Sequence, residues 1–220
     1  MKQLLIAVLV VAGIVGAAVL FGKDKAPASV ELSNHLYGKE DSSVKVVEYG
    51  DFECPACGYY YSIVDQLKEK YKDQISFQFR NFPLTQIHRN ALAAHRAAEA
   101  ASNQGKFWEM YDLLYTNQET WNGPSSADSV GITTAQAINV FEGYAEQLGL
   151  NMEQFKADSS SSAVLDIINA DTDEGKKLGI SGTPTFFING RKIEESENVT
   201  TLDAFSKLID AELASNQSSN

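Results

Sequence analysis

From Val44 onward the apolar positions fall into short segments whose period changes from strand to helix and back. Val44-Lys45-Val46-Val47-Glu48-Tyr49-Gly50 is β-branched and predicts a buried strand that stops at Gly50 and Asp51. A helix opened by Pro55 follows and runs to about Lys70, with Tyr60, Ile63, Val64, Leu67 and Tyr71 at helical spacing. Ile75 to Phe79 alternates as Ile-Ser-Phe-Gln-Phe, a second strand, and the three segments make a βαβ unit whose crossover should be right-handed. From residue 86 to residue 177 the pattern is helical: Asn90 to Ser102, Lys106 to Thr116, Thr134 to Leu148 with Thr133 or Thr134 as its N-cap, and Ser162 to Leu178, punctuated by Gly105, Gly123, Gly131 and Gly149. Strand signals return at Thr185-Phe186-Phe187-Ile188. Asn189-Gly190 then predicts a tight hairpin, Arg191-Lys192-Ile193 pair back, and Leu202 to Leu213 form a last amphipathic helix.

This order places the chain in the α/β class, with residues 44–85 and 178–213 as one domain and 86–177 as a helical insertion. Residues 23–43 read as a tether and domain start, with a short edge strand around Val30 to Tyr37, and residues 214–220 as a polar tail. Residues 1–22 stand apart. Leu4 to Phe21 is a run of 18 residues without a charge, flanked by Lys2 and by Lys23, Asp24 and Lys25, which is the length of a candidate membrane span. Ala26-Pro27-Ala28 offers a small-x-small cleavage site beyond a charged patch, so both a signal anchor and a cleaved signal peptide are open. The first puts the rest of the chain outside the cytoplasm on an N-terminal anchor in the cell membrane. The second makes it secreted or periplasmic.

Composition narrows the partners. A hydrophobic fraction of 44% with 21% charged residues is that of a globular protein. The net charge of −11 argues against nucleic acid, whose phosphates need a basic surface.

The two cysteines carry the chemistry. They are the chain's only ones, Cys54 and Cys57, one helical turn apart in Cys54-Pro55-Ala56-Cys57 at the point where strand gives way to helix. Pro55 suits the first helical position, which makes Cys54 the N-cap, its sulfur facing free backbone N–H groups and the positive end of the helix dipole. Both favour thiolate, the reactive form, so Cys54 is the expected nucleophile. Cys57, further in on the same side of the turn, is the expected resolving thiol of a redox-active Cys54–Cys57 disulfide. A purely structural bridge would close too short a loop to restrict the unfolded chain much. Half a zinc site would need ligands that His35, His88 and His95 do not supply at the usual spacing, so no metal and no cofactor are expected. His95, amid alanines, reads as a packed histidine.

Four stretches in this order, Asp51-Phe52-Glu53-Cys54-Pro55-Ala56-Cys57, Arg80-Asn81-Phe82-Pro83-Leu84, Ala91 to Leu114 with its Gln104-Gly105-Lys106-Phe107-Trp108 core, and Gly182-Thr183-Pro184-Thr185, resemble the DsbA-like thioredoxin family, especially its membrane-anchored branch. The resemblance spans about residues 40 to 212 and implies a thioredoxin fold with an inserted helical domain and a protein-disulfide oxidoreductase. By motif position it implies a cis bond at Pro184, with the backbone of Thr183 and Pro184 presented to an extended substrate segment. It implies a proton acceptor at Glu48, where burial should raise the carboxyl toward neutrality. The Pro55-Ala56 dipeptide lacks the cationic histidine that the strongest oxidants of the family carry there, and Glu53 adds a negative charge. Together Glu53, Pro55 and Ala56 should tune Cys54 to a pKa below that of a free cysteine but above the family's lowest.

The expected function is donation of the Cys54–Cys57 disulfide to exported proteins that are reduced or misoxidised, with reoxidation by a membrane redox partner. The same site run in the other direction makes a reductase or isomerase. A chaperone-like binding module without turnover is a third reading.

Overall fold

The computed structural model describes residues 30–122 and 131–217. The apolar run Leu4–Phe21, the candidate cleavage site and the end of the polar tail lie outside them, as does Gly123. Among the described residues no helix is long and apolar enough to cross a membrane.

Among the described residues five strands form one sheet: β1 (His35–Gly38), β2 (Lys45–Gly50), β3 (Ser76–Asn81), β4 (Thr185–Ile188) and β5 (Arg191–Lys192), in the spatial order β1-β3-β2-β4-β5. Only β2 and β3 run parallel, joined by helix α1 (Pro55–Tyr71), while the pairs β1/β3, β2/β4 and β4/β5 are antiparallel. The edge strand expected from Val30 begins instead at His35, because the residues before it are held by side chains of other elements and not by a neighbouring strand. The β4/β5 hairpin turns on Asn189 and Gly190 with φ of 51° and 79°, the left-handed pair that a two-residue loop requires. Gly50 ends β2 where a Cβ would run into the Phe79 ring, so only glycine lets the two strands and the ring above them close up.

Between β3 and β4 lie α2 (Ala91–Ser102), α3 (Phe107–Thr116), α4 (Gln118–Asn122), α5 (Thr134–Gln147), α6 (Met152–Ser160) and α7 (Ser162–Lys177); α8 (Leu202–Gln217) follows β5. Thr133 caps α5 with a reciprocal box to Gln136. Helices α4 and α6 were not expected from the sequence. The first is one turn long, and the second has Phe155 as its single buried side chain, too little for a visible period.

Among the described residues three apolar clusters result, the smallest made of Tyr49, Phe82, Ile180 and Phe187. Val46, Phe77 and Ile188 from the sheet pack with Leu67 of α1 and Phe205 and Ile209 of α8. Phe52, Phe79, Tyr111, Leu114, Trp121 and Phe141 form the second, which takes in both cysteines and joins the helical block to the rest of the molecule. Burial of this much aromatic surface drives that junction, at roughly 25 cal/mol for each Å² of apolar area removed from water.

Candidate active site

Strand β2 and helix α1 deliver the cysteines where the sequence places them. Cys54 is the N-cap residue of α1, with Pro55 at the first helical position. Both cysteines are free, but they differ in access: Cys54 is 7% exposed and Cys57 fully buried. The Cys54 thiol points at the carbonyl oxygen of Thr183, 3.4 Å away, and the Thr183–Pro184 peptide bond is cis. The Thr183 hydroxyl is buried and without a hydrogen-bond partner, so it is available to donate to a Cys54 thiolate.

The Cys54 thiol is brought down to about 5, first by its hydrogen bond with Cys57, then by Thr183 and the N–H groups of Cys57 and Ala56, against the opposing pull of burial. The value lies between that of a free cysteine and the lowest known for such motifs. Burial and the neighbouring Cys54 push Cys57 the other way, well up. The motif is thus divided into a sulfur that carries charge at neutral pH and one that does not.

Glu48 lies below the motif at 1% exposure, and burial lifts its carboxyl to about 8. The Tyr111 hydroxyl donates to it at 3.3 Å. Glu48 has a buried cationic neighbour. Lys68 of α1, only 3% exposed at its side chain, acts on it from a box of rings, its Nζ 4.5 Å from Trp108, 4.8 Å from Tyr111 and 5.1 Å from Tyr37. Lys68 falls on the apolar face of α1, between Val64 and Tyr71, but a lysine there is ordinarily expected to reach solvent, so the sequence does not mark it as buried.

Glu53 is also buried, and its carboxylate accepts from the Asn90 N–H at 2.5 Å. It therefore sits on the start of α2, and burial raises its pKa. Gln118 of α4 closes the other side of the loop, its Nε2 donating to the carbonyls of Phe52 at 2.7 Å and Cys54 at 3.0 Å.

Asp51 is a site residue that the sequence reading used only as a strand terminus. Fully buried, it accepts from the backbone N–H groups of Glu53 and Leu84, both at 2.8 Å, and pairs with Nδ1 of His88 at 2.7 Å. His88 lies in the turn before α2 and not on the helical face of His95. His95 is packed, as expected, with Nδ1 2.6 Å from Oδ1 of Asn81.

Beside the cysteines a groove of about 910 Å³ opens, lined by Tyr60, Thr183, Pro184, Phe186, Lys192 and Val199 among others. Neither cysteine lines it; Thr183, whose carbonyl the Cys54 thiol faces, connects it to the motif.

A family model described as "Thioredoxin" matches residues 30–211. Among solved structures, the chain is similar to BdbD from Bacillus subtilis (TM-score 0.67, 22% identity, 84% of this chain and 97% of that one). It is similar also to MdbA, a thiol-disulfide oxidoreductase from Corynebacterium diphtheriae (TM-score 0.56, 25% identity, 71% and 80%). A Na(+)/H(+) antiporter NhaA 1 from Salinispora arenicola is 39% identical over 171 residues, which are 78% of this chain and 24% of that protein. The chain spans about a quarter of the length of the curated relatives it matches.

Proposed function

We propose, from the premise that this chain belongs to the thioredoxin family and is a DsbA-like protein-disulfide oxidoreductase, that it works outside the cytoplasm and donates the Cys54–Cys57 disulfide to exported proteins. The observation that carries the direction is the split between the two sulfurs, Cys54 held near pKa 5 at 7% exposure and Cys57 fully buried with its pKa raised. A substrate thiolate reaches Cys54 and attacks its sulfur. The bond between Cys54 and Cys57 breaks, its electron pair goes to Cys57, and a mixed disulfide joins the substrate to Cys54. Cys57 then takes up a proton, for which Glu48, protonated up to about pH 8 and close enough to oppose charge on Cys57, is the proposed source. A second substrate thiolate attacks the substrate's own sulfur in the mixed disulfide, and Cys54 leaves with the electron pair. A leaving thiol of low pKa departs fast, which favours oxidation of the substrate. The groove beside Thr183 and Pro184 would hold the substrate backbone as an added strand, so recognition depends little on side chains.

The two electrons left on Cys54 and Cys57 pass to the disulfide of a membrane redox partner, and the proposed place of that exchange is the outer face of the cell membrane. The apolar run Leu4–Phe21 supports this location as an anchor or as a cleaved signal.

Replacing Cys54 with Ser should abolish peptide oxidation, and Cys57→Ser should accumulate mixed disulfides visible on non-reducing gels. An active Cys54→Ser variant would overturn the assignment. A potential near −120 mV, from equilibration with glutathione, supports the oxidase, whereas one near −270 mV would make the protein a reductase.

A further inference from the structure

Asp51 is bonded through its backbone to both cysteines. Its carbonyl accepts the Cys54 N–H at 3.1 Å and its own N–H points at the Cys57 sulfur, 3.5 Å away. Its carboxylate is therefore fixed against the active-site turn, and a bare negative charge there opposes a thiolate on Cys54. Two histidines flank that carboxylate, and the hydrogen bonds decide which one can neutralise it. The side-chain nitrogen of Asn81 donates to Glu99 at 2.5 Å and to Asp171 at 2.8 Å, which leaves its oxygen to accept from Nδ1–H of His95. Nε2 of His95 then faces Asp51 as an unprotonated, unpartnered atom at 3.9 Å, and burial lowers this imidazole to about 4. His88 is different. It bonds Asp51 directly at 2.7 Å, and its side chain is 15% exposed, within reach of solvent protons. Among the described residues it is the one charged partner left to Asp51.

We propose that His88, clamped by Asp51, is a positioning residue that supplies the positive charge beside Cys54 which the Pro55-Ala56 dipeptide does not. The charges that face it are Asp51, Cys54 and Glu53, and all three raise its pKa, with the Asp51 hydrogen bond first. Thiolate and imidazolium therefore stabilise each other across the turn, and the coupling is reciprocal by linkage. The loss of one proton from His88 strips Asp51 of its counter-charge and makes Cys54 a weaker acid. The inference rests on the thiol chemistry proposed above, but its test does not require turnover.

The test is the pH dependence of Cys54 alkylation by iodoacetamide in the reduced protein, compared for wild type, His88→Gln and His88→Lys. His88→Gln keeps a hydrogen-bond donor to Asp51 and removes the charge. It should raise the Cys54 pKa by about one unit and shift the equilibrium with glutathione by up to tenfold, about 30 mV for the two-electron couple. His88→Lys should restore the low value. In wild type, the imidazole of His88 followed by NMR should titrate at higher pH in the dithiol form than in the disulfide form, where the thiolate is gone, and this comparison needs no variant. An unchanged Cys54 pKa in His88→Gln, or the same His88 pKa in both redox forms, would overturn the proposal. A wild type that shows the coupling but exchanges no disulfides would overturn the proposed function and leave this inference standing.

Discussion

At the scale of single residues, the site depends on carboxylates kept away from water. Glu48 is ordinary in the unfolded chain, near 4.5, and stands at about 8 in the fold. Between these values the native state binds the extra proton, so stability falls as pH rises from about 4.5 to 8 and levels off above. Glu48→Gln removes the effect. Urea denaturation should find the variant more stable than wild type at pH 9, by on the order of 3 kcal/mol, and the gain should vanish at pH 4. The placement of Cys54 and Cys57 was legible in the sequence, because they sit one turn apart where strand gives way to helix, whereas Glu48 and the cis bond at Pro184 were singled out only through the family resemblance. Asp51, His88 and Lys68 were not legible, since their roles come from contacts across 37 residues or from a box of rings assembled by three elements.

At the scale of elements, one buried carboxylate joins parts that the chain keeps far apart. Asp171 of α7 accepts from the N–H and hydroxyl of Ser33, at 2.9 and 2.5 Å, and from the N–H and side chain of Asn81 at the end of β3, at 2.9 and 2.8 Å. Asp171→Ala leaves these donors buried and unpaired and should cost about 3–5 kcal/mol, read as a fall in Tm of roughly 10 °C or more. Protease cleavage near residue 33 should rise with it, because the segment before β1 is held by these bonds; wild-type rates of cleavage would count against this account. The sequence pattern revealed the long elements, whose apolar residues recur often enough to show a period. It failed at α4 and α6, which are fixed by what they touch and not by their own composition.

For the whole molecule, the depressed pKa of Cys54 links redox state to stability. The thiol is at about 5 in the fold against 9 when unfolded, so its contribution is present in full above pH 9 and is lost as pH falls through 5. The reduced protein should therefore gain on the oxidised one between pH 5 and 9, by about 1–2 kcal/mol at pH 7 once the partial solvation of the Cys54 sulfur is allowed for. Calorimetry of both forms at pH 5 and 8 checks this, and a difference in Tm that does not change with pH would contradict it. A reduced form favoured in this way is what makes a disulfide oxidising.

The grip of Gln118 on the Phe52 and Cys54 carbonyls has a consequence for anyone who would transplant the motif. Cys-Pro-Ala-Cys grafted onto a bare sheet would arrive with two carbonyl groups missing their donor and with no neighbour to set the pitch of the loop. The motif and the helical block are one inheritable unit, and a recombinant that separates them would keep the letters of the site while losing its temper.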